Sequence, residues 1–310
     1  MGEVIRSVNL DAGESIFFAR ELEFIKSKSY DIKYGELKAR MILPVSYEAG
    51  PGAESITYRQ YDQLGVAKFI ANYANDLPRA DIKGREYTSP VRSEATSYGY
   101  TLQEVRAAKL TGKPLEQRRA NSAKRAILQL ENTTAFFGNA EVGLSGFINA
   151  SNTNVVSVPA DGTGNTTQWV NKTADQILRD MNLIANSIFS ATKGVEQPST
   201  MLLPLDQYTL VTSTPRSAIS DVTIAEFFLK NNPFVEELDW LNELKGAGAS
   251  STDRCMAYDR DQDKLSLEIP QDFEQLPVQE EGLEFIIPCH ARLGGVIIYY
   301  PLSIAVADGI

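Results

Sequence analysis

Residues 115–137 carry the strongest helical pattern in the sequence. Small or apolar side chains recur at spacings of three and four residues, which places them on one face of a helix. These residues are Ala120, Ala123, Ile127, Leu130, Thr134 and Phe137. Pro114 stands where a first helical turn tolerates proline, and Gly138 ends the pattern. At about 1.5 Å per residue the helix is a rod of roughly 35 Å, and the rest of the chain must pack around it.

The region before this helix has strand-like segments but little adjacent core. Residues 37–47 and 54–62 are typical of β-strands, and the glycines and proline at 50–52 predict a hairpin between them. An isolated two-stranded hairpin is only marginally stable in water, so this one must lie on its own domain or on a neighbouring subunit. We favour the neighbour, and the apolar candidates for that contact are Ile42, Val45, Ile56, Val66 and Ile70.

The remaining segments mix helices and strands without regular alternation, which indicates an α+β fold. A capping box from Thr173 to Gln176 opens an amphipathic helix, because each residue's side chain can satisfy the other's backbone N–H. Other predicted helices cover 13–29, 101–111, 205–212 and 222–230. Predicted strands cover 201–203, 254–258, 265–269, 283–288 and 295–300, with a hairpin turn at 258–264. Residues 66–73 continue the apolar pattern, 76–92 are polar with Pro and Gly breakers, and 149–172 are typical of a surface loop.

The inventory of reactive residues is too small for an enzyme. His290 is the only histidine, and the cysteine beside it in sequence is a poor partner for nucleophilic catalysis. Asp259, Asp261 and Asp263 begin like a calcium loop, but Lys264 stands where that loop needs glycine. The sequence therefore predicts no catalytic residue, no metal and no cofactor. With two cysteines and no disulfide framework, it also favours a reducing compartment.

Charge is distributed unevenly along the chain. Residues 106–125 hold seven basic side chains and one acidic one, whereas 253–284 hold ten acidic and three basic ones. A solvated surface explains this, and so does head-to-tail contact between copies of the chain. The second interpretation gives these contact candidates: Arg118, Arg119, Asp259, Asp261 and Asp263. It predicts that reversing Arg118 and Arg119 together impairs assembly more than folding.

Several stretches, taken in order, resemble the major capsid proteins of tailed bacteriophages with the Hong Kong 97-like fold. The matching sequence near the N-terminus is SIFFARELEFIKSKSYDIKYGELKARMILPVS, followed by GAESITYRQYDQLGVAKFIANYANDLPRADI. Ahead of the long helix stands YGYTLQEVRAA, and toward the C-terminus stand FEQLPVQ and IPCHARLGGVIIYYPLSIAVADGI. The resemblance runs nearly the whole length and is weakest in residues 149–172 and 234–252.

The resemblance implies a division of the chain into five parts. Residues 1–35 would be an N-terminal arm, and 36–98 an extended hairpin loop that reaches over a neighbour. Residues 99–172 would form a peripheral domain containing the long spine helix, and 173–265 an axial domain. Residues 266–310 would supply C-terminal strands that complete both domains.

The resemblance also implies the function. The chain would assemble as pentamers and hexamers into an icosahedral shell that encloses double-stranded DNA in a virion, built in the cytoplasm of the host bacterium. Partners would be copies of itself, a portal, scaffolding protein and decoration proteins. Because the sequence starts at Met1 without a long leading segment, a separate scaffolding protein is expected. The net charge of −10 disfavours direct binding of nucleic acid, and no membrane role is expected. The alternative is the shell of an encapsulin-like protein nanocompartment, which shares the fold.

Overall fold

The computed structural model describes residues 35–64, 67, 69, 79–111, 117–217, 219 and 221–310. The predicted N-terminal arm, the helix at 13–29 and nearly all of the apolar segment at 66–73 lie outside this range. From Leu37 to Ile310 the chain forms one compact unit.

Helices and strands alternate irregularly in the described part of the chain, so the prediction of an α+β fold is confirmed. The helices are α1 Ala39–Ile42, α2 Leu102–Thr111, α3 Gln117–Phe137, α4 Ala174–Ala191, α5 Leu205–Ser213 and α6 Ile224–Asn231. The strands of the first half are β1 Val45–Ser46, β2 Ser55–Leu64, β3 Asp81–Pro90, β4 Arg92–Thr101, β5 Asn154–Val156 and β6 Thr200–Leu203. Those of the second half are β7 Glu237–Trp240, β8 Arg254–Tyr258, β9 Leu265–Glu268, β10 Gln271–Gln275, β11 Gln279–Glu281, β12 Glu284–Leu293, β13 Gly295–Ile298 and β14 Ile304–Asp308.

The long helix α3 packs on a sheet built around β12. All ten residues of β4 pair with β12 in antiparallel register, and β10 and β11 pair with the other edge of β12. On the face of this sheet toward α3, Ala123 and Ile127 form a cluster with Cys289 and Ala291. Gly138 then ends α3 with a φ of +70°, where a Cβ would lie 2.7 Å from backbone atoms of the following turn. The predicted helix at 115–137 is thus confirmed over its described residues.

A five-stranded sheet, in the order β5-β14-β8-β6-β7, forms the centre of the second half of the unit. Alternate residues of its inner strands enter two separate apolar clusters. Met201, Cys255 and Ala305 enter the cluster of α4 and α6, whereas Leu202 and Met256 enter the cluster of α1 and β9. Because both faces are buried, these strands are apolar throughout and show no alternation in sequence.

The predicted hairpin between 37–47 and 54–62 is wrong. Its first segment is the short helix α1 followed by β1, and β1 pairs in parallel with β9. A turn does form at the glycines, with the N–H of Ala53 donating to the Gly50 carbonyl at 3.0 Å. It leads β2 into pairing with β3, which lies in the polar segment 76–92 that was not predicted as a strand. Strand β3 is exposed over most of its length, so it lacks the apolar alternation by which buried strands are recognised.

Two further predictions about local structure have mixed outcomes. The capping box of Thr173 and Gln176 is confirmed at the start of α4, and a second one, of Thr223 and Glu226, starts α6. The segment 258–264 was predicted to be a hairpin turn. It does not join paired strands, because β8 and β9 belong to different sheets. The turn therefore connects two layers.

The segment 149–172 is more than a surface loop. It contains β5, and Trp169 is buried in the cluster of α4. The side chain of Lys172 is fully buried, and its Nζ lies 2.6 Å from the Asp180 carboxylate, which is also fully buried. The same Nζ donates to the Pro159 carbonyl at 2.7 Å, so one ammonium group ties the middle and the end of the segment to α4.

We expect Lys172→Met to lower the free energy of unfolding of the unassembled subunit by about 1–3 kcal/mol, because one oxygen of the buried Asp180 carboxylate loses its donor while Arg179 still pairs with the other oxygen. Urea titration followed by circular dichroism measures this. The matched control is Lys245→Met, which breaks an exposed pair with Asp206 of the same 2.6 Å length. That variant should change stability little, since water screens exposed pairs. Equal losses in the two variants would contradict the role assigned to burial.

Candidate functional site

Strands β2 and β3 form a two-stranded ribbon with two exposed faces. Ten residue pairs join them. Across the ribbon, Arg59 pairs with Glu86 at 2.8 Å and the rings of Tyr58 and Tyr87 stack. Apolar side chains toward its outer part remain in solvent; Tyr61 and Ile82 are each 63% exposed. Over its described residues the ribbon has no core of its own.

The base of the ribbon is fixed to the body of the same chain. Ile56 lies against Gly294, where an added Cβ would come within 2.9 Å of the isoleucine Cδ1. Ser89 donates to the Gly294 carbonyl at 3.1 Å. The Tyr58 ring meets the Tyr299 ring edge-on, with 4.9 Å between centroids. The ribbon therefore leaves the body in a defined direction, and glycine at 294 is needed for its close approach.

The apolar residues that were predicted to contact a neighbouring subunit differ in their burial. Ile42 is 2% exposed and sits in the chain's own core, so its side chain is not available to a neighbour. Val45 is partly buried against the same core cluster, and Ile56 is partly buried at Gly294. Val66 and Ile70 lie outside the described residues.

The two proposed basic contacts differ in their surroundings. Arg119 donates to the Glu104 carboxylate at 2.7 Å and to the Gly99 carbonyl at 2.6 Å, with its guanidinium over the Tyr100 ring. Hydrogen bonding from Arg119 lowers the pKa of Glu104 to about 2. Reversing Arg119 would thus disturb folding as well as assembly. Arg118 is exposed at the start of α3.

The proposed acidic contacts all belong to the turn between β8 and β9. Asp261 and Asp263 are exposed, and a carboxylate oxygen of Asp261 accepts the N–H of Asp263 at 3.0 Å. Asp259 is partly buried, and burial raises its pKa. Among the described residues, no ion pair is found between these three aspartates and the basic segment.

Sequence reasoning missed a charged cluster that holds α1 against α3. Arg40 makes a bidentate pair with Glu131, with both N–O distances at 2.6 Å, and also contacts Asp272 at 2.8 Å. Glu94, on β4, is buried beside this cluster. Its pKa is raised to about 7, first by burial and then by the charge of Glu131, with Arg40 acting in the opposite direction. Because α1 was predicted as a strand, nothing in the pattern placed Arg40 opposite α3.

Among the described residues, His290 and its neighbour Cys289 are not arranged as a nucleophile and its base. His290 and Cys289 are adjacent on β12, and successive strand residues point to opposite faces. Cys289 is buried, which raises the pKa of its thiol. Within the described ranges, no group of three His, Cys, Asp or Glu side chains is placed to hold a metal ion. Of the helices in that same part of the chain, none is long and apolar enough to cross a membrane.

The cluster around Arg40 generates a prediction about pH. The raised pKa of Glu94 means that the folded state keeps a proton that the unfolded state releases between about pH 4.5 and about pH 7. This group therefore lowers stability as the pH rises through that window, by an amount on the order of 3 kcal/mol. Glu94→Gln should remove the decline and be more stable than the wild type at pH 8, as measured by urea titration across the window.

Glu104→Gln is the control with the opposite sign. Because Arg119 lowers the pKa of Glu104, the stabilisation from this pair is present above about pH 4.5 and is lost as the pH falls toward about 2. The control should therefore lose stability at neutral pH and converge with the wild type in acid. If the free energy of unfolding changed with pH in the same way for Glu94→Gln and the wild type from pH 4.5 to 8, the pH dependence of stability would not come from Glu94.

A protein-family model and several solved structures match this chain. A model of the major capsid protein family matches residues 65–310. The capsid of Myoviridae phage XM1 superposes with a TM-score of 0.81 at 17% identity, covering 96% of this chain and 99% of that one. The capsid of an empty GTA particle gives a TM-score of 0.63 at 12% identity, with coverages of 96% and 99%. A virus-like particle from Pyrococcus furiosus gives 0.50 at 14% identity, with coverages of 89% and 92%.

No curated protein matches the sequence. The family match covers well over half of the chain, and the structural neighbours share its arrangement of helices and sheets over nearly their full lengths. The fold is the α+β Hong Kong 97-like capsid fold that the sequence predicted, and the chain belongs to the major capsid protein family.

Proposed function

We propose that this capsid protein assembles as pentamers and hexamers into the icosahedral shell of a tailed bacteriophage, which encloses double-stranded DNA. Assembly takes place in the cytoplasm of the bacterial host. The observation that carries the proposal is the exposed ribbon of β2 and β3, whose outer part finds no apolar partner in the described residues of its own chain.

Several apolar side chains on and beside the ribbon are exposed. Two-stranded ribbons are marginal in water, and exposed apolar side chains in one place mark a surface that another molecule covers. Tyr61 and Ile82 are exposed on the ribbon, and Phe69, in the segment between its strands, is fully exposed. A neighbouring copy is the natural cover, because a shell brings the same surface of every subunit against the next one.

The parts of the fold take the roles that the family resemblance implies. Residues 36–98 serve as the extended loop, with the ribbon as its reaching part. Helix α3 serves as the spine of the peripheral domain, and 173–265 form most of the axial domain. Residues 266–310 contribute to both, which agrees with β12 pairing with β4 while β14 pairs with β8.

In this proposal the shell encloses DNA but does not bind it tightly. A net charge of −10 disfavours broad binding to phosphates. The shell therefore depends on other proteins to load and close it, namely a portal and a scaffolding protein, with decoration proteins as further partners.

A nanocompartment shell of the encapsulin type is the second candidate. It is favoured by one observation, the likeness to the virus-like particle from Pyrococcus furiosus, which covers 89% of this chain. Closed particles are expected in both cases, so the contents distinguish them: nuclease-protected DNA for a phage capsid and packaged protein for a nanocompartment.

Electron microscopy of the purified protein tests the proposal, and we expect closed shells of uniform size. Tyr61→Ser combined with Ile82→Ser should leave the subunit folded but unassembled, because the two paired strands then lose their most exposed apolar side chains. The matched control, Tyr61→Phe combined with Ile82→Val, keeps that surface and should still form shells. Tubes, plates or a stable monomer from the wild type would contradict shell assembly.

A further inference from the structure

A cleft of about 650 Å³ lies between the base of the ribbon and the sheet of β1, β9 and β13. Tyrosine rings form much of its wall, among them Tyr58, Tyr299 and Tyr300. The carboxylates of Glu48, Asp263 and Glu268 also line it. Aromatic faces and carboxylates both attract cations, and a planar guanidinium can contact both at once.

Glu268 is the unusual member of this cleft. It is 3% exposed, and its carboxylate accepts a hydrogen bond from the Ser266 hydroxyl at 2.6 Å. Throughout the described part of the chain, no lysine, arginine or histidine forms an ion pair with it. A buried carboxylate without a cation is costly, because burial removes the water that would otherwise stabilise the charge.

The other buried carboxylates of the described residues have a compensation within the chain. Asp180 pairs with Lys172, Glu131 with Arg40 and Glu196 with Lys264, each at 2.6 Å. Glu94 responds to its burial with a pKa raised to about 7. Glu268 has no such cation among the described residues.

Two cations border the cleft, and each is paired elsewhere. Arg59 pairs with Glu86 across the ribbon at 2.8 Å. Lys264 lies over the Tyr300 ring, but its Nζ pairs with Glu196. The cleft itself remains negative: burial raises the pKa of Tyr299, and the charges of Glu268 and Glu48 act in the same direction.

We propose that this cleft receives a lysine or arginine side chain from a neighbouring copy of the chain, supplied by the basic segment 106–125. The inference rests on the proposed function, since only an assembled subunit has such a neighbour. Charge complementarity favours this occupant, because the segment holds seven basic residues and one acidic one. Arg106 and Lys109 are exposed on α2, and Arg118 is exposed at the start of α3.

The cation would pair with Glu268 inside the cleft and with Asp263 at its rim, over a tyrosine face. Asp263 belongs to the acidic turn between β8 and β9, so the cleft gives that turn a specific part in head-to-tail contact. Tyr58, which lies on the ribbon, forms part of one wall of the cleft. The contact would therefore also fix the direction in which the ribbon leaves the body.

The test compares Glu268→Gln in unassembled subunits and in shells. In the unassembled subunit the variant should be as stable as the wild type or more so, because it removes an uncompensated buried charge. In assembly it should raise the protein concentration at which shells form by about ten-fold. Asp263→Asn, an exposed change that leaves the core intact, should have a smaller effect in the same direction. Both variants should weaken the dependence of assembly on salt.

Glu196→Gln is the matched control, since it removes an equally buried carboxylate that Lys264 compensates within the chain. It should destabilise the unassembled subunit, opposite to Glu268→Gln. The donor is identified by combining Glu268→Gln with Arg106→Gln, Lys109→Gln or Arg118→Gln in turn. The donor's variant should impair assembly alone and add no further loss to Glu268→Gln.

The outcomes separate this inference from the proposed function. Failure of the wild type to form shells would overturn both. Wild-type shells together with unchanged assembly of Glu268→Gln would overturn the inference and leave the proposed function standing. An Arg59→Gln variant that reproduces the Glu268→Gln defect would assign the cation to the chain's own ribbon, which also overturns it.

Discussion

The antiparallel pairing of β4 with β12 joins residues 92–101 to residues 284–293 through ten consecutive pairs. One face of this pair supports α3, and the residue after β3 leads directly into β4. At the other end, β12 continues into β13, which pairs with β9 beside the ribbon base. The body and the ribbon are therefore positioned by the same long-range contact.

Buried charge follows a consistent rule in the body of the chain. Arg40 with Glu131 joins segments that are distant in sequence, and Lys172 with Asp180 joins α4 to the segment just before it. Each pair fixes the approach of one element to another. Such pairs contribute more to geometry than to net stability, because desolvation offsets much of their attraction. A carboxylate that breaks the rule, Glu268, then stands out as a group whose partner belongs to the assembled state.

Sequence patterns predicted the fold well where one face of an element is apolar. Helices α3 and α4 follow this description, and so does the capping box at Thr173. The patterns failed where burial is absent or the element is very short. Strand β3 is exposed on both faces, and α1 has only four residues, too few to establish a helical period.

The candidate site was predicted in outline but not in its residues. The uneven charge distribution indicated Arg118 and Asp263 as contact residues. The marginal stability of a two-stranded hairpin indicated that the region containing the ribbon needs a neighbour. The sequence could not show that Ile42 belongs to the core or that Arg119 pairs with Glu104, because both depend on contacts between distant segments. Glu268 lay in a predicted strand, and only the sheet that buries it shows that its charge is uncompensated.

The central claim is that the ribbon is covered by another copy of the chain when shells form. Hydroxyl-radical footprinting of unassembled subunits and assembled shells, read by mass spectrometry at Tyr61 and Ile82, tests this most directly. The account predicts strong labelling of both residues in the subunit and loss of most of that labelling in the shell. Equal labelling in the two states would show that the ribbon stays in solvent and would contradict the account.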